Sequence, residues 1–192
     1  MKLAERLRSA LSAAPAGPLL PGDDYADDQA LAPAAVLAAI TDRSSPGIIL
    51  TVRHADLRTH AGQVALPGGR LDDGEDAQAA ALREAWEELG LDPAAVEPVG
   101  RLEPYRTLTG FAVTAVVGVI PPDLPLSPHE HEVADWFEAP LGFVLDPANQ
   151  QPHSALFEGR MRHYYRIDWN GRTIWGATAA MLVNLSRRLQ WS

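Results

Sequence analysis

Residues 75–89 form an alanine-, leucine- and glutamate-rich run with no glycine or proline inside it, followed directly by Gly90. Such a composition favours helix, and a glycine just past the last turn supplies its stop. Ala77, Ala81, Ala85 and Leu89 recur at helical spacing. Small residues in such a stripe suit close packing on a sheet. Glu84, Glu87 and Glu88 stand at relative positions 0, 3 and 4. At roughly 100° per residue they fall on one side of the helix. Like charges so placed destabilise a bare helix, and a hard divalent cation would remove the repulsion. Magnesium takes oxygen ligands and keeps several waters, which leaves room for a substrate phosphate. Arg83, four residues before Glu87, can pair with it and fix its orientation. Taken alone, three acids on a helix are more often a solvated face; the flanking residues decide between the two readings.

Along the rest of the chain, Leu3, Leu7 and Leu11 predict a short amphipathic helix over 3–13, broken by Ala14-Pro15-Ala16-Gly17-Pro18. Residues 21–28 are acidic and turn-like, as in a surface linker. Apolar runs at 34–40 and 48–52 flank the turn Arg43-Ser44-Ser45-Pro46-Gly47 and predict two buried strands. Further strands are expected near 98–103, 112–120 and 133–138, and a short helix over 140–145. Asn170-Gly171 sits between 164–169 and 173–175, a strong hairpin signal. An amphipathic helix over 177–190 closes the chain. The mixture implies an α+β fold, helices packed on a mixed or antiparallel sheet. The expected division is an N-terminal helix and linker over 1–32 and one domain over 33–192.

Bulk properties narrow the function classes. A chain of 192 residues can bury a full core. It lacks an apolar run long enough for a bilayer and an N-terminal apolar stretch of the secretory kind, so no membrane partner is expected. It has no cysteine, which excludes disulfides and thiolate metal sites and fits a cytoplasmic location. A formal net charge of −9 argues against sequence-independent nucleic-acid binding. A phosphate substrate remains compatible, because an arginine cluster or a bound cation can invert the field within one site.

Read from Gly69, the chain gives Gly69, five residues, Glu75, seven residues, then Arg83-Glu84-Ala85-Trp86-Glu87-Glu88-Leu89-Gly90-Leu91. This resembles the Nudix box, Gly-x5-Glu-x7-Arg-Glu-U-x-Glu-Glu-x-Gly-U, where U is a bulky aliphatic residue. Every fixed residue is in place, and Ala85 stands where a larger aliphatic is usual. The resemblance implies the Nudix fold, an α/β/α sandwich around a mixed sheet, and a metal-dependent pyrophosphohydrolase. It implies Glu84 and Glu88 as principal ligands of Mg2+, for which Mn2+ can substitute, and Glu87 as a further ligand. The backbone at Gly68-Gly69 would supply the loop before the helix, with a Gly68 carbonyl to the metal. Glu75 and Arg83 look structural. Another acid commonly comes from a loop after the box. Here that loop is Ser127-Pro128-His129-Glu130-His131-Glu132-Val133, with Glu132 the favoured catalytic residue and Glu130 its rival. A metal pair at His129 and His131 is disfavoured, since imidazole prefers softer metals.

Before the box stand Ile49-Leu50-Thr51-Val52-Arg53-His54, Arg58, Gly62 and Leu66-Pro67-Gly68-Gly69. This resembles the accessory signature of the coenzyme A pyrophosphatase subfamily, with His54 in place of serine and Leu66 in place of phenylalanine. The run Leu108-Thr109-Gly110-Phe111 onward is also similar. The likeness implies hydrolysis of coenzyme A or an acyl-CoA to 4′-phosphopantetheine and adenosine 3′,5′-bisphosphate. Arg53, Arg58 and Gly62 would then bind substrate, since guanidinium groups offer planar, multidentate donors to phosphate oxygens. Two isolated arginines would read as a strand end and a wet loop. Competing readings are a Nudix hydrolase of another nucleoside diphosphate derivative (ADP-ribose, a nucleotide sugar, a nucleoside triphosphate) and a non-catalytic nucleotide sensor. The expected partner is the small-molecule nucleotide, with no nucleic acid; a homodimer is compatible.

Overall fold

The computed structural model describes residues 2–23, 30–54, 62–157 and 159–191. Residues 24–28 of the expected acidic linker lie outside them. The elements in chain order are α1 (Leu3–Ser12), β1 (Ala32–Thr41), β2 (Gly47–Arg53), β3 (Val64–Ala65), β4 (Gly68–Arg70) and α2 (Ala77–Leu89). They continue with β5 (Glu97–Arg101), β6 (Tyr105–Arg106), β7 (Phe111–Ile120), β8 (Val133–Pro140) and α3 (Leu141–Leu145). The chain ends in β9 (Gln151–Phe157), β10 (Arg160–Trp169), β11 (Arg172–Trp175) and α4 (Gly176–Leu189).

β1 is the axis of a mixed sheet. It runs parallel to β7 from Ala32↔Phe111 to Thr41↔Ile120. Its other edge is divided. Near its end it meets β2, in the register Ile40↔Ile48. Near its start it meets β4, from Ala34↔Arg70 to Val36↔Gly68. β2 therefore parts from β1 partway along, and the segment carrying Pro67-Gly68-Gly69 fills the gap. The Leu37 N–H donates to the Pro67 carbonyl at 2.8 Å there. Beyond the parting, β2 holds β8 along one edge and β3 on the other.

Side-chain alternation on β1 sorts two cores, as a strand's period of two requires. Ala35, Leu37 and Ala39 pack with Ala77, Ala80, Ala81, Ala85 and Leu89 of α2. Ala34, Ala38 and Ile40 pack on the opposite face with α1, α3 and α4 residues, among them Leu7, Leu141 and Leu182. The result is the expected α/β/α sandwich. The helix α1 belongs to this packing: Ala4 and Leu7 are buried in the second core. The segment after it is fastened to α4, where Asn184 bonds both the N–H and the carbonyl of Leu20, at 2.8 and 2.9 Å.

Most expected elements are present with shifted ends. α2 begins at Ala77, because Asp76 is its N-cap and accepts from the Ala79 N–H at 2.8 Å. This leaves Glu75 outside the helix and free for another partner. Gly90 ends α2 at φ 64°, with its N–H bonded to the last turn. Asn170 and Gly171 both have positive φ, 48° and 73°, the geometry of a tight hairpin turn. β9 was not expected. Gln151-Pro152-His153-Ser154 has weak strand propensity, and it is strand because β10 pairs with it from Gln151↔Arg166 to Phe157↔Arg160. β10 and β11 send Ile167 and Ile174, both fully buried, into the core that contains α4. No helix among the described residues is long and apolar enough to cross a membrane.

Because Leu7 is fully buried between α1 and the core, Leu7→Ala is expected to cost about 2–5 kcal/mol of unfolding free energy. Thermal or denaturant unfolding measures this. A change below about 0.5 kcal/mol, the level of an ordinary surface substitution, would show that α1 is not part of the cooperative unit.

Candidate active site

The parting of β2 from β1 leaves the Gly68-Gly69 segment paired to β1 and lying against α2. Gly68 is needed for space, and a side chain on Gly69 would displace the Glu84 carboxylate. A Cβ on Gly69 would lie 2.3 Å from Oε1 of Glu84, and one on Gly68 would lie 2.3 Å from the Ala35 carbonyl oxygen. The backbone thus lies directly against the glutamate ridge of α2. The Gly68 N–H donates to Oε2 of Glu88 at 3.3 Å.

Arg83 organises the acids around it. Its Nε and Nη2 form a fork on Glu75, each at 3.0 Å, and Nη2 also donates to the Arg70 carbonyl at 2.9 Å. Nη1 donates to Glu84 at 2.9 Å and to Glu87 at 3.2 Å. The expected Arg83–Glu87 pair exists, but the bidentate partner is Glu75. That fork joins the loop at Asp72–Glu75 to the middle of α2. Hydrogen bonding to Glu75 is the main reason the guanidinium holds its proton above the ordinary arginine range, with Glu84 adding to it. Arg83 in turn pulls the Glu75 carboxyl below its usual value.

Glu88 is in a different environment. Its side chain is 5% exposed, and Arg53 Nη1 stands 3.9 Å from its Oε1. Burial pushes its carboxyl up to about 8, against the opposing pull of Arg53, and Glu84 and Glu132 push it further. Glu84 is raised as well, first by burial, with Glu87 and Glu132 adding to it against Arg83.

The loop expected to carry another acid is strapped to the end of this helix. The Ser127 N–H donates to Leu89 O and the His129 N–H to Glu88 O, both at 2.8 Å. The Glu132 N–H returns to His129 O, and the His54 N–H donates to Glu132 O, both at 2.9 Å. Glu132 is thereby brought within electrostatic reach of Glu84 and Glu88. His129 and His131 face each other edge-on at 5.5 Å.

The accessory residues have distinct local roles. Thr51 is buried, and its hydroxyl donates to Ala65 O at 3.2 Å, tying β2 to β3. Gly62 has φ +70°, and its N–H donates to Arg53 O at 3.1 Å. Arg58 lies outside the described residues. Sequence reading missed the Arg70 carbonyl and the Asp72 N–H as parts of the Arg83–Glu75 clamp. A backbone contact across thirteen residues leaves no periodic signal.

Among the described residues, no three His, Asp or Glu side chains stand preassembled around one point. Arg83 holds Glu84 and Glu87, and Glu87 remains exposed. The donor set nevertheless fits a hard divalent cation. It consists of carboxylate oxygens, and the buried Glu88 carboxylate has its nearest guanidinium nitrogen at 3.9 Å, beyond hydrogen-bonding distance.

The NUDIX domain family matches residues 31–158. The chain belongs to the Nudix family. The Nudix hydrolase NudL of Escherichia coli K12, described as uncharacterized, is 44% identical over 157 residues, covering 81% of this chain and 82% of that protein. NudL of Cronobacter sakazakii shows the same identity and coverage. Among solved structures, the MutT protein of Methanosarcina mazei superposes with a TM-score of 0.51 at 21% identity, over 62% of this chain and 84% of that one. The Nudix hydrolase RenU of M. smegmatis also gives 0.51 at 21% identity, over 60% and 81%. These two likenesses bear on the fold. The protein is a Nudix hydrolase, and Nudix hydrolases act with divalent metal ions.

The buried Glu88 makes a testable mark on stability. Its folded carboxyl titrates near 8, above its ordinary value of 4.5. Between those values the native state keeps a proton that the unfolded chain has lost. Metal-free protein therefore loses stability as pH rises from about 4.5 to about 8, and the loss is complete above. Glu88→Gln removes this titration. Its melting temperature, measured in chelator across that range, is expected to fall by several degrees less than that of the wild type. Parallel curves for the two proteins would refute the burial argument.

Proposed function

We propose that this Nudix hydrolase cleaves the diphosphate of coenzyme A or an acyl-CoA, giving 4′-phosphopantetheine or its acyl form and adenosine 3′,5′-bisphosphate. The observation that carries the reading is the placement of Arg53. Its guanidinium faces Glu88 at 3.9 Å, its Nε is buried without a hydrogen-bond partner, and the side chain keeps 28% of its surface. This is a partly exposed cation at the carboxylate ridge, not hydrogen-bonded to Glu88, on the residue that the accessory signature assigns to substrate. Arg58, from the same signature, is proposed as the second phosphate contact, and Gly62 as the turn that sets the Arg53 backbone.

Glu84, Glu88 and Glu87 would hold the cation, proposed as Mg2+ with Mn2+ able to replace it, together with the Gly68 carbonyl. Such an ion withdraws charge from phosphate oxygens and lowers the pKa of water. The chain's own groups do the rest. Arg53 binds a phosphate oxygen and neutralises the charge that gathers there. Glu132 accepts a proton from water as the water oxygen bonds to phosphorus and the bridging P–O bond breaks. Its electrostatic influence on Glu84 and Glu88 supports giving it this role. The protein is proposed to act in the cytoplasm on a small nucleotide, and dimer formation is compatible with that role.

Glu132→Gln should lower kcat by about two orders of magnitude or more, the usual loss for a general base, while the metal concentration for half-activation changes little. Near-normal turnover in this variant, with a loss in Glu130→Gln, would move the role to Glu130.

The substrate is tested by product identification on a panel of CoA, acetyl-CoA, 3′-dephospho-CoA, ADP-ribose, NADH and nucleoside triphosphates. CoA and dephospho-CoA share the scissile diphosphate and differ by one ribose phosphate. Losing one charge-assisted bond costs on the order of 1.5–3 kcal/mol. CoA should therefore lead by roughly ten- to a hundredfold in kcat/KM. Alanine at the responsible arginine, Arg53 or Arg58, should erase the difference by harming CoA more. Equal wild-type efficiencies would remove the 3′-phosphate contact, and a faster rate on ADP-ribose would overturn the substrate assignment.

A further inference from the structure

A cavity of about 290 Å³ lies on the α2 face of the sheet, toward the start of β2 and away from the glutamate ridge. Its apolar wall is Ile49, Ile120, Leu124, Leu126 and Trp136. Its far end is rigid and polar. Arg43 forms a fork on Glu138, with bonds of 3.0 and 3.1 Å, and bonds Asp123 at 2.9 Å. The Thr41 hydroxyl donates to the same Glu138 at 2.6 Å, and Gly47 leaves no room beside it, since a Cβ there would lie 2.2 Å from Oε1 of Glu138. The charges at this end are paired with one another, so the cavity offers an incoming group an apolar side wall and a fixed end.

Three elements run from this cavity to the candidate active site. β2 contributes Ile49 here and Arg53 there, four residues apart, which is about 14 Å at the rise of a strand. β8 contributes Trp136 here, and its Val133 pairs with Arg53. The loop between β7 and β8 contributes Leu124 and Leu126 here. A few residues later it is strapped to α2 through Ser127 and His129 and presents Glu132. The cavity volume is at the bottom of the range for a small-molecule site, about 300–1,000 Å³. It suits part of a substrate, not a whole nucleotide.

We infer that this cavity receives the non-nucleotide arm of the substrate, a pantetheine chain with its thiol or a short acyl group. The inference rests on the coenzyme A reading and deepens it. A substrate whose diphosphate lies at Arg53 must send its flexible arm along some surface. The β7–β8 loop and β8 both lead from the Glu132 region to an apolar chamber of the right scale. Trp136, the largest side chain of the wall, covers the arm. The Arg43–Glu138 pair closes the chamber and limits the length of acyl group it takes.

The test uses 4′-phosphopantetheine, which carries the arm without the adenine nucleotide, and the full-length protein. Isothermal titration should show saturable binding to the wild type. Trp136→Ala should weaken it about tenfold, the scale for removing apolar contact from a pocket. Leu124→Trp, a loop substitution that fills the chamber, should weaken it likewise and tests the same point if Trp136→Ala does not fold. The ratio of kcat/KM for acetyl-CoA to that for ADP-ribose should fall in both variants. No binding by the wild type, or equal binding by folded variants, overturns the inference even where CoA is hydrolysed. Trp136-dependent binding of 4′-phosphopantetheine by a protein that fails to cleave CoA keeps the arm site and overturns the proposed reaction.

Discussion

The division of the β1 edge between β4 and β2 is the constraint on which the rest of this molecule depends. A strand edge offers one row of backbone donors and acceptors, and two partners can share it only if one of them leaves. β2 leaves after the Ile40↔Ile48 register, and Pro67, Gly68 and Gly69 take its place. At Gly68 the space admits no side chain, because Ala35 and Val36 backbone lie against it, and at Gly69 a side chain would push the Glu84 carboxylate aside. The proximity of the Gly68-Gly69 loop to α2 and the position of Arg53 at the end of β2 follow from that parting.

Electrostatics then divides the acids on and just before α2 into two kinds. Glu75, Glu84 and Glu87 are gathered by one guanidinium, so their arrangement is fixed while their charge is partly answered. Glu88 is buried beyond the reach of Arg83, with Arg53 at ion-pair but not hydrogen-bond distance. A carboxylate in that position carries a desolvation cost that a cation offsets. The fold spends stability to keep it there, as is common where a protein must bind a charge it does not itself contain.

The outer parts of the chain serve the same centre from a distance. The loop from β7 to β8 is fastened to the last turn of α2 by backbone bonds from Ser127 and His129, and main-chain bonds position Glu132. The same loop walls the cavity beside Trp136. The α1 segment, far from this face in sequence and in space, closes the opposite core through Leu7.

The sequence by itself determined the local features, because these are set by neighbouring residues. The period of Ala77, Ala81, Ala85 and Leu89 gave the helix and its buried side. Gly90 gave its end, and Asn170-Gly171 gave the hairpin. The spacing of Glu75, Arg83, Glu84, Glu87 and Glu88 gave the acid ridge and the family. The tertiary structure alone decided that Arg83 forks onto Glu75, that Glu88 is buried while Glu87 is not, and that Glu132 stands in electrostatic reach of the ridge. It also decided that the weak strand former Gln151–Phe157 becomes β9, and that a cavity lies beside Trp136. The physical reason is common to all of these. Burial and pairing across long sequence separations depend on which elements meet, and a one-dimensional pattern records only the face each element offers.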